Sequence, residues 1–157
     1  MRLPASAERV IWVVVAAAGA ALVVGEFLTL FRVTSQGVEL QATSGGDAHS
    51  YALGALGGAV LVAAVIAGLA GSYEAAFAAA LCGLAALGVL LIADLPDVTA
   101  SGSVGERLTS AEAAPAVGFW LQLGAAAIAA VDGTVLGLSL RAAPGEEGGD
   151  GEGPRQA

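Results

Sequence analysis

The chain has 157 residues, of which 57% are hydrophobic and 13% charged. Soluble proteins carry about 25% charged residues because their surface faces water, so an exterior solvated by lipid is the reading that fits this composition. The net charge of −8, with arginine as the only strong base, excludes nucleic-acid binding, which needs clustered cations to neutralise phosphates.

Residues 1–10 form a short amphiphilic lead carrying Arg2, Glu8 and Arg9. The run 11–31, IWVVVAAAGAALVVGEFLTLF, follows. It holds about 20 apolar residues, enough for a helix as long as the ~30 Å hydrocarbon core of a bilayer. Its apolar stretch is longer than a secretory signal core, and it reads as an uncleaved first span. One acidic residue, Glu26, interrupts it.

Residues 33–50 are a polar connection. Val38, Leu40 and Ala42 alternate with Glu39, Gln41 and Thr43, the period-2 pattern of a half-exposed strand. A small extracellular β-hairpin is predicted here, turning near Gln36-Gly37, with Asp47 or Ser50 capping the helix that follows.

The second span is predicted over 51–71. It contains Gly54-x-x-x-Gly58, and small residues four apart leave a groove where another helix approaches closely. The short Ser72-Tyr73-Glu74 turn implies that the third span, 75–93, runs antiparallel to the second. Asp94-Leu95-Pro96 ends that span, because proline disfavours helical geometry at the residue before it. Residues 98–115 form a second polar connection, in which Thr109, Ser110 and Glu112 start a short helix or cap the next one. The fourth span covers 116–138 and holds a second small-residue pair, Gly133 and Gly137. Residues 142–157 are Gly, Pro and acidic residues, with too little apolar surface to fold, and are read as a disordered cytoplasmic tail.

The predicted fold is therefore an all-α membrane protein, a four-helix transmembrane bundle over 1–141 with one extracellular hairpin. Its surroundings are the lipid bilayer, with a membrane-protein partner or a second copy as further associates. Arg2, Arg9, Arg141 and Arg155 fall on one side of the bundle, and Arg32 and Arg107 on the other. The positive-inside rule then puts both termini in the cytoplasm of a multi-pass cell-membrane protein.

Ionisable groups inside spans are expensive, by about 2.5–3.5 kcal/mol on insertion scales, and each needs a reason. Glu26 and Gln122 are predicted at similar depths near the outer end of their helices. Asp94 caps the third helix at that end, and His49 and Tyr51 begin the second there. Trp12, Gly19 and Glu26 are spaced by seven and share a helix face, so Glu26 should point into the bundle. Gln122, Tyr51 and His49 are its candidate partners. Two readings follow: a hydrogen-bonded bundle residue, or the carboxylate of an ion-coupled transporter.

The lone Cys82 lies in an apolar run and forms neither an internal disulfide nor a C-x-x-C pair. With one histidine and no lysine, no nucleophilic triad or dyad is visible. No phosphate loop or dinucleotide fingerprint is present. No cofactor, metal site or enzymatic activity is predicted, and a structural or accessory role in an envelope complex is the first functional expectation.

Three runs, Gly46-Asp47-Ala48-His49-Ser50-Tyr51, Asp94-Leu95-Pro96-Asp97-Val98 and Gly118-Phe119-Trp120-Leu121, resemble small uncharacterised four-span membrane proteins of actinobacteria. The long first outer loop with strand character and the tight inner turn also resemble claudin topology. The claudin signature of a Trp and two Cys in that loop is absent from 33–50. The resemblance implies a four-span fold and carries over no site residue.

Overall fold

A computed structural model describes residues 3–98, 100–104 and 109–142. Arg2, Arg107, Arg155 and the tail predicted to be disordered lie outside the described residues, apart from Ala142. The elements are α1 (Ala5–Gly25), β1 (Thr29–Ser35), β2 (Val38–Ser44), α2 (Gly45–His49), α3 (Ala52–Ala70) and α4 (Tyr73–Val89). A π turn (Leu90–Asp94), α5 (Leu95–Val98), β3 (Ser101–Val104), β4 (Thr109–Pro115) and α6 (Val117–Arg141) complete the order.

Four helices are long and apolar enough to cross a membrane: Ala5–Gly25, Ala52–Ala70, Tyr73–Val98 and Val117–Arg141. They pack as an up-down-up-down square in which α1 and α4 each lie between α3 and α6. Buried positions recur every three or four residues, as at Leu53, Gly57, Val60, Ala64 and Ala67 of α3. That spacing is the seam of a left-handed bundle. The seam mixes small side chains, including Ala79, Ala86, Ala126 and Ala129, with larger ones such as Leu22, Leu53, Leu90 and Phe119, while other large ones point outward: Ile92 is 80% exposed and Leu69 78%. So many large apolar side chains on the outside suit an exterior facing lipid. In lipid no hydrophobic force drives helices together, so close backbone packing through small residues takes its place.

Helices α1 and α3 approach closely. A Cβ on Gly57 would fall 2.7 Å from the Gly19 carbonyl oxygen, and one on Gly19 would fall 2.6 Å from the Leu61 nitrogen. Gly57→Val is expected to weaken the bundle by about 1–3 kcal/mol through overpacking. Gly58, with open space where its Cβ would project, is expected to accept alanine without loss. Thermal unfolding of the two variants in detergent checks this contrast.

The two polar connections combine into one antiparallel sheet of order β2-β1-β4-β3 at the end of the bundle opposite the Ser72 turn. The predicted β1–β2 hairpin is present, and Gln36 and Gly37 turn it with φ of 51° and 79°, the double left-handed geometry of a type I′ turn.

Three expectations are corrected. First, α1 begins at Ala5 and ends at Gly25, and the residues through Phe31 leave the helix. An apolar run does not by itself separate helix from buried strand, and here Phe31 and Arg32 pair with Pro115 and Ala114 of β4. Second, residues 109–115 form β4, not a helix start. Ala111 and Ala113 share one face with Phe31 and Val33 around a shallow groove, but alanine on both sides of the strand hides the alternation in sequence. Third, the third helix does not end at Asp94. It widens into a π turn, in which the Leu95 N–H donates to Leu90 C=O five residues back, and continues through Pro96 to Val98. The wider turn accommodates a residue that lacks an N–H and crowds the preceding turn.

Candidate functional site

The polar groups predicted at one end of the spans meet beneath the sheet, around α2. Glu26 is the last residue of the α1 stripe that buries Gly19, Leu22 and Gly25, and is itself 1% exposed. It is the C-cap of α1 and lies at the end of the helix, not one turn and more inside it. Trp12, Gly19 and Glu26 all lie against α3, facing Gly68, Gly57 and Gly54 respectively.

Glu26 Oε1 accepts a 2.6 Å hydrogen bond from the Gly54 N–H. Gly54 is in the first turn of α3, whose own N-cap residue, Tyr51, supplies no side-chain cap. The carboxylate at the end of α1 thus caps α3. A negative group at a helix N-terminus satisfies an orphan N–H and meets the positive end of the dipole. This replaces the Asp47 or Ser50 cap predicted for α3. Ser44 instead caps α2, its hydroxyl oxygen accepting from the Asp47 N–H at 3.2 Å. Ser50 and Tyr51 both take left-handed backbone, with φ of 50° and 66°.

Gly45 and Gly46 dock α2 on the end of α1. Their N–H groups donate to the carbonyls of Leu28 (3.3 Å) and Glu26 (2.8 Å). A Cβ on Gly45 would lie 3.1 Å from both Glu26 Oε2 and Gln122 Nε2. Gln122, fully buried, reaches the same place from α6 across Gly25, whose absent Cβ would collide with the Gln122 Cγ.

His49 and Asp94 form the second half of the cluster. His49 Nε2 lies 2.6 Å from Asp94 Oδ1, with the side chains 8% and 7% exposed. His49 Nδ1 lies 3.1 Å from the Gly45 carbonyl oxygen. Both ring nitrogens face acceptors, and only the imidazolium donates from both. The hydrogen bond to Asp94 raises the His49 pKa above its ordinary 6.5, burial opposes this, and the charges of Asp94 and Glu26 add to the rise. Asp94 is not a helix cap, as predicted, but belongs to the π turn of the third span.

Tyr51 stays outside the cluster. It is 58% exposed, stacks near Phe27 with ring centroids 6.1 Å apart, and covers Gly46. The glycine pairs divide similarly. Gly54 faces Glu26 while Gly58 faces open space; Gly133 packs on the Ala80 backbone, and Gly137 on the Phe77 ring. Gly57 and Gly83, which meet the α1 and α6 backbones respectively, were not singled out by the four-residue pattern.

Among the described residues, no three His, Cys, Asp or Glu side chains are grouped to hold a metal ion. The arrangement defines a class by architecture: a bundle of four helices long and apolar enough to cross a membrane, capped at one end by a sheet, with a buried polar cluster where the helices end. No family model matches the chain, and neither the curated proteins nor the solved structures contain a match.

Proposed function

We propose that this is a multi-pass cell-membrane protein that presents its sheet outside the membrane as a non-enzymatic, accessory surface for an envelope partner. The observation carrying the reading is β2. It is an edge of the sheet, and Val38 to Ala42 are exposed along it. An exposed edge offers unpaired backbone groups to another chain. Lipid surroundings are supported by the outward Leu and Ile side chains and by exposed aromatics at both ends, Tyr51 and Trp120 below the sheet and Tyr73 at the opposite turn. Cytoplasmic termini are supported by Arg9 and Arg141 at the end away from the sheet, against Arg32 on it. A photo-crosslinking residue at Leu40, in native membranes, is expected to give discrete protein adducts that the same probe at lipid-facing Val62 does not. Identical adduct patterns from both positions would overturn the reading.

A second reading, an ion-coupled transporter with Glu26 as coupling carboxylate, is favoured by one observation: Glu26 Oε2 is buried without a hydrogen-bond partner. Proton flux into proteoliposomes that is lost in Glu26→Gln supports it, and flux unchanged by that substitution removes it.

A further inference from the structure

The cluster beneath α2 contains buried hydrogen-bonding capacity that the chain does not use. Glu26 Oε2, Asp94 Oδ2 and both amide atoms of Gln122 have no partner, although the three residues are 1%, 5% and 0% exposed. Buried polar groups are ordinarily satisfied by protein or by ordered water, and orphans call for an explanation. The Glu26 and Gln122 side chains also border one space. Glu26 Oε2 and Gln122 Nε2 are each 3.1 Å from the point where a Cβ on residue 45 would sit, so both atoms converge on Gly45, which has no side chain to separate them.

Of the three charged groups around this space, two are paired with each other and the third faces backbone. The Glu26 carboxylate faces the N-terminus of α3 through the Gly54 N–H. The Asp94 carboxylate faces the His49 imidazolium at 2.6 Å. What remains is hydrogen-bonding capacity of both signs, acceptors on Glu26, Asp94 and Gln122 and two donors on the amide nitrogen. A metal or ammonium cation would satisfy the oxygens but leave the amide N–H groups of Gln122 unpaired. Turning the amide over exchanges its ends and still leaves one donor and one acceptor to fill.

We propose that the space bounded by Glu26, Gly45 and Gln122 is a binding site for a small neutral molecule that both donates and accepts hydrogen bonds, and that its resident is water. The water donates to Glu26 Oε2 and accepts from the Gln122 amide, tying the end of α1 to α6 under the cover of α2. Gly45 is the positioning residue: a methyl group there takes up the space between the two polar atoms.

The test is a crystal structure of the full chain, grown in a lipid mesophase at a resolution that shows ordered water, once from sodium and once from rubidium salt. One density within hydrogen-bonding distance of both the Glu26 carboxylate and the Gln122 amide is expected. It should be unchanged between the salts and carry no anomalous signal. An anomalous rubidium peak at that place overturns the proposal in favour of a cation. A direct Glu26–Gln122 hydrogen bond with no density between them overturns it as well. In Gln122→Leu, which keeps the bulk of the side chain, the density should vanish while the His49–Asp94 pair persists. Density that survives the substitution removes Gln122 from the site and overturns the proposal.

Discussion

Asp94→Ala is expected to lower the unfolding free energy in detergent by about 3–5 kcal/mol, the cost of removing one partner from a buried ion pair. The His49 ring would then keep its Gly45 carbonyl on one side and lose its acceptor on the other. Asp94→Asn is expected to cost less, because the amide oxygen still accepts from Nε2. The pair also makes stability depend on pH. The folded pKa of His49 is raised above 6.5, first by the hydrogen bond to Asp94. Below 6.5 the ring is charged in the folded and unfolded chains alike, and the stabilisation is fully present. It is lost as pH rises through the folded value, because the folded chain then gives up a proton that held the pair together. His49 is the only histidine of the chain, so NMR of labelled imidazole reads this titration without overlap. A His49 that titrates at or below the ordinary value, or one unmoved by Asp94→Asn, would contradict the assignment.

The second large effect is expected at Glu26. Glu26→Ala removes the acceptor of the Gly54 N–H and strips the first turn of α3 of this side-chain cap, at about 1–3 kcal/mol. Glu26→Gln keeps an acceptor in the same place and should fall within about 1 kcal/mol of the parent, since only the charge-assisted part of the bond is lost. Equal melting temperatures for Glu26→Ala and the parent would mean that the cap contributes no net stability. Hydrogen exchange localises the effect: the first turn of α3 should lose protection in Glu26→Ala while the middle of α6 keeps it.

Both expectations depend on contacts that join distant parts of the chain, which is why composition and periodicity reached only part of the site. Glu26 and Gln122 were legible as polar groups at one depth, because each interrupts an apolar run at a countable distance from its end. The partner of Glu26 was not, because it is a backbone N–H of α3, and a backbone group leaves no trace in residue type. The same holds for His49 and Asp94. Each was placed at the sheet end, but their pairing depends on the short α2 turning the ring toward a π turn, and neither element has a strong local signature. Gly45 and Gly25 act by what they lack, so only the side chains filling their space reveal them.

Four runs of bilayer length, the tight Ser72 turn and the Gln36-Gly37 hairpin were determined by the sequence alone. Each follows from local rules, apolar length, loop length and turn chemistry, acting within one segment. The tertiary structure decided where α1 gives way to β1, that β4 joins the hairpin as a sheet, and that the third helix passes Pro96. In each case two conformations were locally acceptable. A distant partner chose between them: β4 for β1, β1 for β4, and for the π turn the packed bundle around Leu90 and Asp94. Backbone groups buried at the end of a bundle must find hydrogen bonds somewhere, and only the folded chain brings those partners within reach.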